Sequence, residues 1–432
     1  MPIFCRYWLA IAFSVANFNI LHAEPMRMEG KSAPISSGSD NLEIRHLDTL
    51  SVNQSLSLSE VLEKTFLRNP MQSTLQSRDA WVTSKQTLAH AMLPSAPAMS
   101  VMHQNDALGG SRGEREWQAE LELPVWMPTQ RDKRLKVADM SGSTLTASRE
   151  SLKLQVAGLL RDTLWTLALN ESHLVLARNK LEVAHQLQQD VQKRFSAGEV
   201  PKTDVMLTQQ ESLRAEQEHL RAEAEVMHAR HRYYVLTGLR EIPADFVEQQ
   251  STLSDYQQSP IWLEAQSKLS LAQTERELAQ VEGRENLQVL LNMRSIKGAF
   301  DVAANESVGV KLRIPFGGDA RAAPIKAAAE QGVGNALSEQ AALQYTLETA
   351  MHEAEHNLEV SRAELALASK QYVIADESLR LARKAFQLGE TDLVSLLRVQ
   401  ARTFETERIL TSQKIQVQWD VARYNQTVGV FP

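Results

Sequence analysis

Apolar residues recur along this chain with two different periods. In WQAELELP (117–124) every second position is apolar, so Trp117, Ala119, Leu121 and Leu123 alternate with Gln118, Glu120 and Glu122. VGVKLRIP (308–315) sets Val308, Val310, Leu312 and Ile314 against Gly309, Lys311 and Arg313. LQVLLNMR (287–294) puts Leu287, Val289, Leu291 and Met293 on one side, with Leu290 as the exception on the other. APAMSVMHQ (96–104) is a weaker match. A period of two predicts strands with one apolar and one wet face. The polar, glycine-containing stretches NDALGGSRGERE and SIKGAFDVAANES separate these strands in pairs, so each pair is expected to form a hairpin.

Between the strands the pattern is helical. From Thr129 to Ala197 there is no proline, and the only glycines are Gly142 and Gly158. A helix of about 65 residues rises ~100 Å. After Gly198 and Pro201 a second run continues to Leu236. Within it Met206, Leu213, Leu220, Met227 and Tyr234 recur every seven residues, and Leu396, Thr403, Leu410, Val417 and Tyr424 do the same later. A seven-residue repeat keeps one seam against a partner helix, as in a coiled coil. The two seams, read this way, are one position out of strict alignment.

The chain is also duplicated. RFSAGEVPKTDVMLTQ (194–209) returns as AFQLGETDLVSLLRVQ (385–400), Pro124 as Pro315, Tyr233 as Tyr424 and Gly238 as Gly429, at a constant offset of 191 positions. Upstream the register slips by one, so that NPMQSTLQS (69–77) sits on SPIWLEAQS (259–267). Two structural copies are expected, 57–239 and 259–430, joined by a linker over 240–258. The Gly-Glu turns at 198–199 and 389–390 become the tips of helical hairpins. Glycine suits the left-handed position that ends one helix, and Thr203 or Asp204 can cap the next.

Four strands and two long rods do not make a soluble sheet, because the rods run away from the apolar face they should cover. Lipid is the alternative cover, and transmembrane strands have this length and alternation. A membrane tolerates no open sheet edge, and barrels begin at about eight strands, so four strands must close with other copies. Three copies give twelve strands around a wet lumen lined by Glu120, Glu122, Lys311 and Arg313.

The N-terminus agrees with export. MPIFCR is followed by the apolar run YWLAIAFSVANF, and NILHA ends in a cleavage signal after Ala23, so 1–23 is expected to be a signal peptide. Residues 24–56 lack periodicity and are expected to form an extended leader. The one cysteine, Cys5, lies in the signal, which leaves no disulfide, thiolate metal site or cysteine nucleophile beyond it. Composition is ordinary, with 43% hydrophobic and 23% charged residues, and the net charge of −7 leaves no nucleic-acid footprint.

On RF…AGEV…TDV (194–205), the matching F…LGE…LL..Q (386–400), the strand ends ELPVW and RIPFG, and LSLSEVLEKTFLRNP (56–70), the chain resembles the outer-membrane efflux protein family, the TolC-like channels. The resemblance covers nearly all of the chain after the signal. It implies a mainly α fold in which a homotrimer closes a shared 12-stranded transmembrane barrel and a 12-helix periplasmic tunnel. It also implies docking to a periplasmic adaptor protein and an inner-membrane pump of the RND type, with the channel a passive exit duct in the outer membrane of a Gram-negative bacterium. Adaptor contacts in the family cluster at the tips, which points to Arg194, Gly198, Glu199, Gly389 and Glu390. The tunnel closes nearby, at positions that correspond here to Ser395 and Arg398, where some members carry acids; Asp204 and Asp392 are the substitutes. Compact length and the missing lipid-anchor cysteine look like the cation-efflux, CzcC-like branch, with heavy-metal cations as cargo. A drug or type I secretion duct is the alternative within the family.

One motif points elsewhere. HEAEH (352–356) matches H-E-x-x-H, in which His352 and His356 grip Zn²⁺ and Glu353 acts as general base of a secreted metallopeptidase. Its context is poor, since it lies in a helical run with neither glycine nor proline from Asn335 to Leu388. His228 and His231 form a second pair, read as coiled-coil surface. No enzyme, cofactor or resident metal is expected. A periplasmic coiled-coil scaffold is the remaining alternative, and it leaves the alternating strands unexplained.

Overall fold

A computed structural model describes residues 49–432, apart from Ser111 and Arg284. The signal peptide and most of the 24–56 leader lie outside the described residues. The leader's last stretch is a short strand, β1 (Ser51–Asn53). It is followed by α1 (Leu58–Arg68), α2 (Gln72–His90), β2 (Ala98–Asn105), β3 (Arg115–Val125), α3 (Gln130–Ser196) and α4 (Lys202–Thr237). The linker carries β4 (Glu241–Pro243), and the second copy runs α5 (Pro260–Glu282), β5 (Leu287–Lys297), β6 (Asn305–Arg313), α6 (Asp319–Gln387) and α7 (Leu393–Val428). The elements α2-β2-β3-α3-α4 thus return in order as α5-β5-β6-α6-α7, while α1 has no second counterpart. α1 begins with a capping box, Ser57 and Glu60 each accepting from the other's backbone N–H.

The rods have the length that the absence of breakers predicts. α3 has 67 residues and α6 has 69, each about 100 Å. Pro324 sits in the second turn of α6, where its ring removes one intrahelical donor without ending the helix. α4 folds back along α3 and α7 along α6, while α3 and α7 join the two hairpins; in the other half α3 packs on α5 and α5 on α6. The order across the protomer is therefore α4-α3-α7-α6 towards the tips and α2-α3-α5-α6 towards the sheet. The four-stranded sheet repeats it as β2-β3-β5-β6, antiparallel throughout. Among the described residues no helix is both long and apolar enough to cross a membrane.

The heptad seam of the second copy faces α6 as expected, with Leu396, Thr403, Leu410, Val417 and Tyr424 buried. The first copy corrects its reading by one position. Among the buried residues of α4, Val205, Ser212, Val226 and Tyr233 match the buried seam of α7 at the strict 191 offset, whereas Met206 and Leu213 are 60% and 65% exposed. Small side chains (Thr208, Ser212, Ala215) let α4 lie close to α3, so the intramolecular seam is the less hydrophobic of the two stripes.

The linker fixes the halves together midway along the rods. Tyr233 Oη donates to the Glu241 carbonyl at 2.8 Å, and its duplicate Tyr424 donates to the Leu253 carbonyl at 2.7 Å. Burial pushes the Tyr233 phenol up to about 12. β1 pairs in parallel with β4 beside them. Arg161, only 2% exposed, grips both Glu248 oxygens at 2.7 and 2.6 Å, the Gln426 side chain at 2.6 Å and the Val430 carbonyl at 2.9 Å. One guanidinium thus ties α3, the linker and the end of α7 into a single knot.

Candidate functional site: the two ends and two open edges of the protomer

Register in the sheet sorts side chains into rows. Met99, Leu121, Leu291 and Val310 form one cross-strand row, and Val101, Ala119, Met293 and Val308 the next. Leu123, Val289 and Leu312 continue the same face. This apolar face lies open, Val308 being 82% exposed. Its alternation is that of the outward face of a transmembrane barrel strand. On the other face Lys311 Nζ lies 3.6 Å from Glu120, Arg294 meets Glu116 at 2.6 Å, and Arg313 donates to Gln288 at 3.4 Å. Glu122 shares its row with Ala98, Leu290 and Lys311. The four lumen residues expected from the sequence therefore share one face, with acids and bases intermixed. Leu290, the apolar exception on that side, is fully buried. β2 and β6 each pair on one side only, which leaves two edges of unsatisfied backbone groups.

The opposite end consists of two duplicated turns. Gly198 and Gly389 have φ of +80° and +76°. Glu199 N–H donates to the Arg194 carbonyl and Gly198 N–H to that of Phe195, both at 2.9 Å; Glu390 and Gly389 repeat this onto Ala385 and Phe386. These are Schellman closures, in which the left-handed residue has to do without a Cβ. Arg194 lies over the Phe386 ring, 5.0 Å from its centroid, so a cation–π contact joins the two tips. Behind it Val191, Val205 and Leu393 form a small apolar core.

The constriction candidates divide. Asp392 is the N-cap of α7 and accepts the Ser395 N–H at 2.7 Å. Hydrogen bonds from Ser395, first its hydroxyl and then its N–H, hold the Asp392 carboxyl below the usual range. Asp204 lies in the first turn of α4, whose N-cap is Pro201 with no side-chain bond, so neither Thr203 nor Asp204 takes the capping position. Arg398 is exposed one turn beyond Ser395. In HEAEH, His352, Glu353 and His356 are all exposed, and the two rings lie parallel with centroids 6.1 Å apart. Within one protomer, among the described residues, no three His, Cys, Asp or Glu side chains are gathered to hold a metal.

One feature escaped the sequence reading. Val360, Leu367, Ile374, Leu381 and Leu388 recur every seven residues on α6, all exposed, with Leu367 at 58% and Ile374 at 69%. The signal was the same period used for α4 and α7. α6 and α4 are the two outer helices of the order given above, so each open edge carries one uncovered heptad stripe.

No protein-family model and no curated protein sequence matches the chain. Solved structures do. The outer membrane protein VceC of Vibrio cholerae superposes with a TM-score of 0.71 at 13% identity, over 87% of this chain and 96% of that one. The CmeC outer membrane channel of Campylobacter jejuni gives 0.67 at 12% identity, over 93% and 94%. The open-state MtrE outer membrane channel of Neisseria gonorrhoeae gives 0.67 at 14%, over 86% and 89%. Two of these three are described as outer membrane channels and the third as an outer membrane protein, and the expectation drawn from the tip and strand-end motifs is met at the level of the fold: the chain has the fold of the TolC-like outer-membrane efflux channels.

Proposed function

We propose that this protein is the outer-membrane channel of a tripartite export system, working as a homotrimer in which a 12-stranded barrel continues into a 12-helix tunnel. The observation that carries the reading is a duplicated junction. Inside the protomer α7 of the second copy packs on α3 of the first, and β3 pairs with β5. The 191-residue offset converts α7 into α4 and α3 into α6, so an α4–α6 junction between neighbouring copies repeats a contact already made within each. The same operation turns the β3–β5 pairing into a β6–β2 pairing. The stripes agree in register: Met206, Leu213, Leu220 and Met227 recede from one tip in step with Leu381, Ile374, Leu367 and Val360, which recede from the other. Their internal equivalents at the α3–α7 junction, such as Leu169, Leu176 and Phe404, are already half-buried. Repeating one junction around a closed ring leaves no open edge in the bilayer.

The fold of the solved channels supports the number three and the outer-membrane location. Arg194, Gly198, Glu199, Gly389 and Glu390 present the surface that would dock a periplasmic adaptor, which in turn joins an RND-type pump. The duct itself is passive, and its mixed-charge lumen sets no single-sign barrier. Metal cations are the cargo suggested by the sequence, and metal tolerance of cells with and without the channel tests that part. Native mass and membrane fraction of the mature chain, extracted in mild detergent, test the assembly. A trimer in the outer-membrane fraction is the expected result, and a soluble monomer contradicts it.

A further inference from the structure

We infer that each boundary between copies carries a divalent transition-metal site built from two histidine pairs, an inference that rests on the trimeric reading above. The duplicated junction places the groups. Inside the protomer Trp419 of α7 donates from Nε1 to Asp162 of α3 at 2.8 Å. The 191-residue offset converts Trp419 into His228 and Asp162 into Glu353. Arg161, which meets Gln426 at the same junction, becomes His352. His231 lies one turn beyond Met227 on the α4 stripe, and His356 one turn before Val360 on the α6 stripe. Helical periodicity sets His231 between its stripe and His228, and His356 between its stripe and His352. Both pairs lie on the wider arc of their helices, the side that faces outward when the helices close into a ring.

One copy therefore brings His228 and His231, and its neighbour brings His352, Glu353 and His356, all five exposed in the isolated protomer. The i, i+4 pair His352 and His356 projects from one face of α6 and can hold one ion, as in H-E-x-x-H helices. His231 and His228 supply the donors from the other side. Four imidazole nitrogens in a tetrahedral set suit Zn²⁺ and its neighbours, with Glu353 beside them to accept from a ligand ring N–H. Neither half has enough ligands alone, which is why the motif makes no site within one chain. The ion would act as a clasp, bridging the apolar seam at its end away from the tips.

The test uses the full mature trimer, stripped with EDTA and titrated with Zn²⁺, its mass measured first. One Zn²⁺ per chain is expected, with raised resistance of the trimer to dissociation by SDS. The doubles H228Q/H231Q and H352Q/H356Q should each reduce this to none while remaining trimeric. Mixed trimers of the two variants should regain one ion wherever an intact α4 pair meets an intact α6 pair. A trimer that binds no Zn²⁺, a variant that binds as well as the parent, or mixed trimers that recover nothing overturns the site and leaves the assembly standing. A monomeric mass overturns the assembly itself.

Discussion

Arg161 is the residue on which the middle of the molecule depends most. It is buried against an almost equally buried carboxylate, with side-chain exposures of 2% and 10%. Removing one partner strands the other charge, so R161M is expected to destabilise the protein by about 3–5 kcal/mol, whereas R161M/E248L should recover much of that. Denaturant unfolding of both variants checks the difference, and equal losses would show that packing rather than charge holds the knot. Little of this was legible in the sequence. Nothing local to Arg161 marks it as buried, and its acceptors come from positions 248, 426 and 430, brought together by the tertiary fold alone. The tip glycines were legible, because a left-handed turn after a long helix has few other sequence solutions.

At the scale of the element, the heptads show what pattern alone resolves. The rods, the four strands and both tips were readable to within a few residues, since each long segment has one unbroken period. Which stripe faces inward was not. Leu213 is far more apolar than Ser212, yet Ser212 is the one buried in the hairpin. In the proposed trimer the stripe left exposed on α4 becomes the drier contact, so hydrophobicity there would mark burial between copies rather than within the hairpin. L213E is therefore expected to leave the protomer folded and abolish the trimer, because a side chain worth about 1.5–3 kcal/mol is lost at each of three boundaries. V226E should instead disrupt the hairpin itself, and circular dichroism beside native mass separates the two. The α3–α7 junction adds a pH dependence. His173 meets Ser412 across it at 3.0 Å. Burial, followed by the Arg408 charge, holds its imidazole below the ordinary value. The unfolded chain then binds more protons as pH drops below about 6.5, so the contribution of His173 is complete above that range and is lost as pH falls through its folded value. Arg408, itself paired with Glu405 at 2.7 Å, is the charge that faces a protonated ring. H173Q should flatten this part of a stability–pH profile, and an unchanged profile would assign the acid sensitivity elsewhere.

For the whole molecule, one half-unit and one junction, repeated around the proposed trimer, would build sheet, tunnel and tips together. If the open apolar sheet face meets lipid as proposed, L121K or L312K should cost about 2–4 kcal/mol near the membrane midplane and deplete assembled channel from the outer membrane. Normal assembly of either variant would reverse the assignment of the faces. Closure of α4 on α6 between copies is open to cross-linking of L220C/L367C in intact cells. An oxidant-dependent ladder of one, two and three chains that stops at three and is absent from each single variant is the expected result. A ladder that runs past three, or no cross-link at all, would contradict the ring.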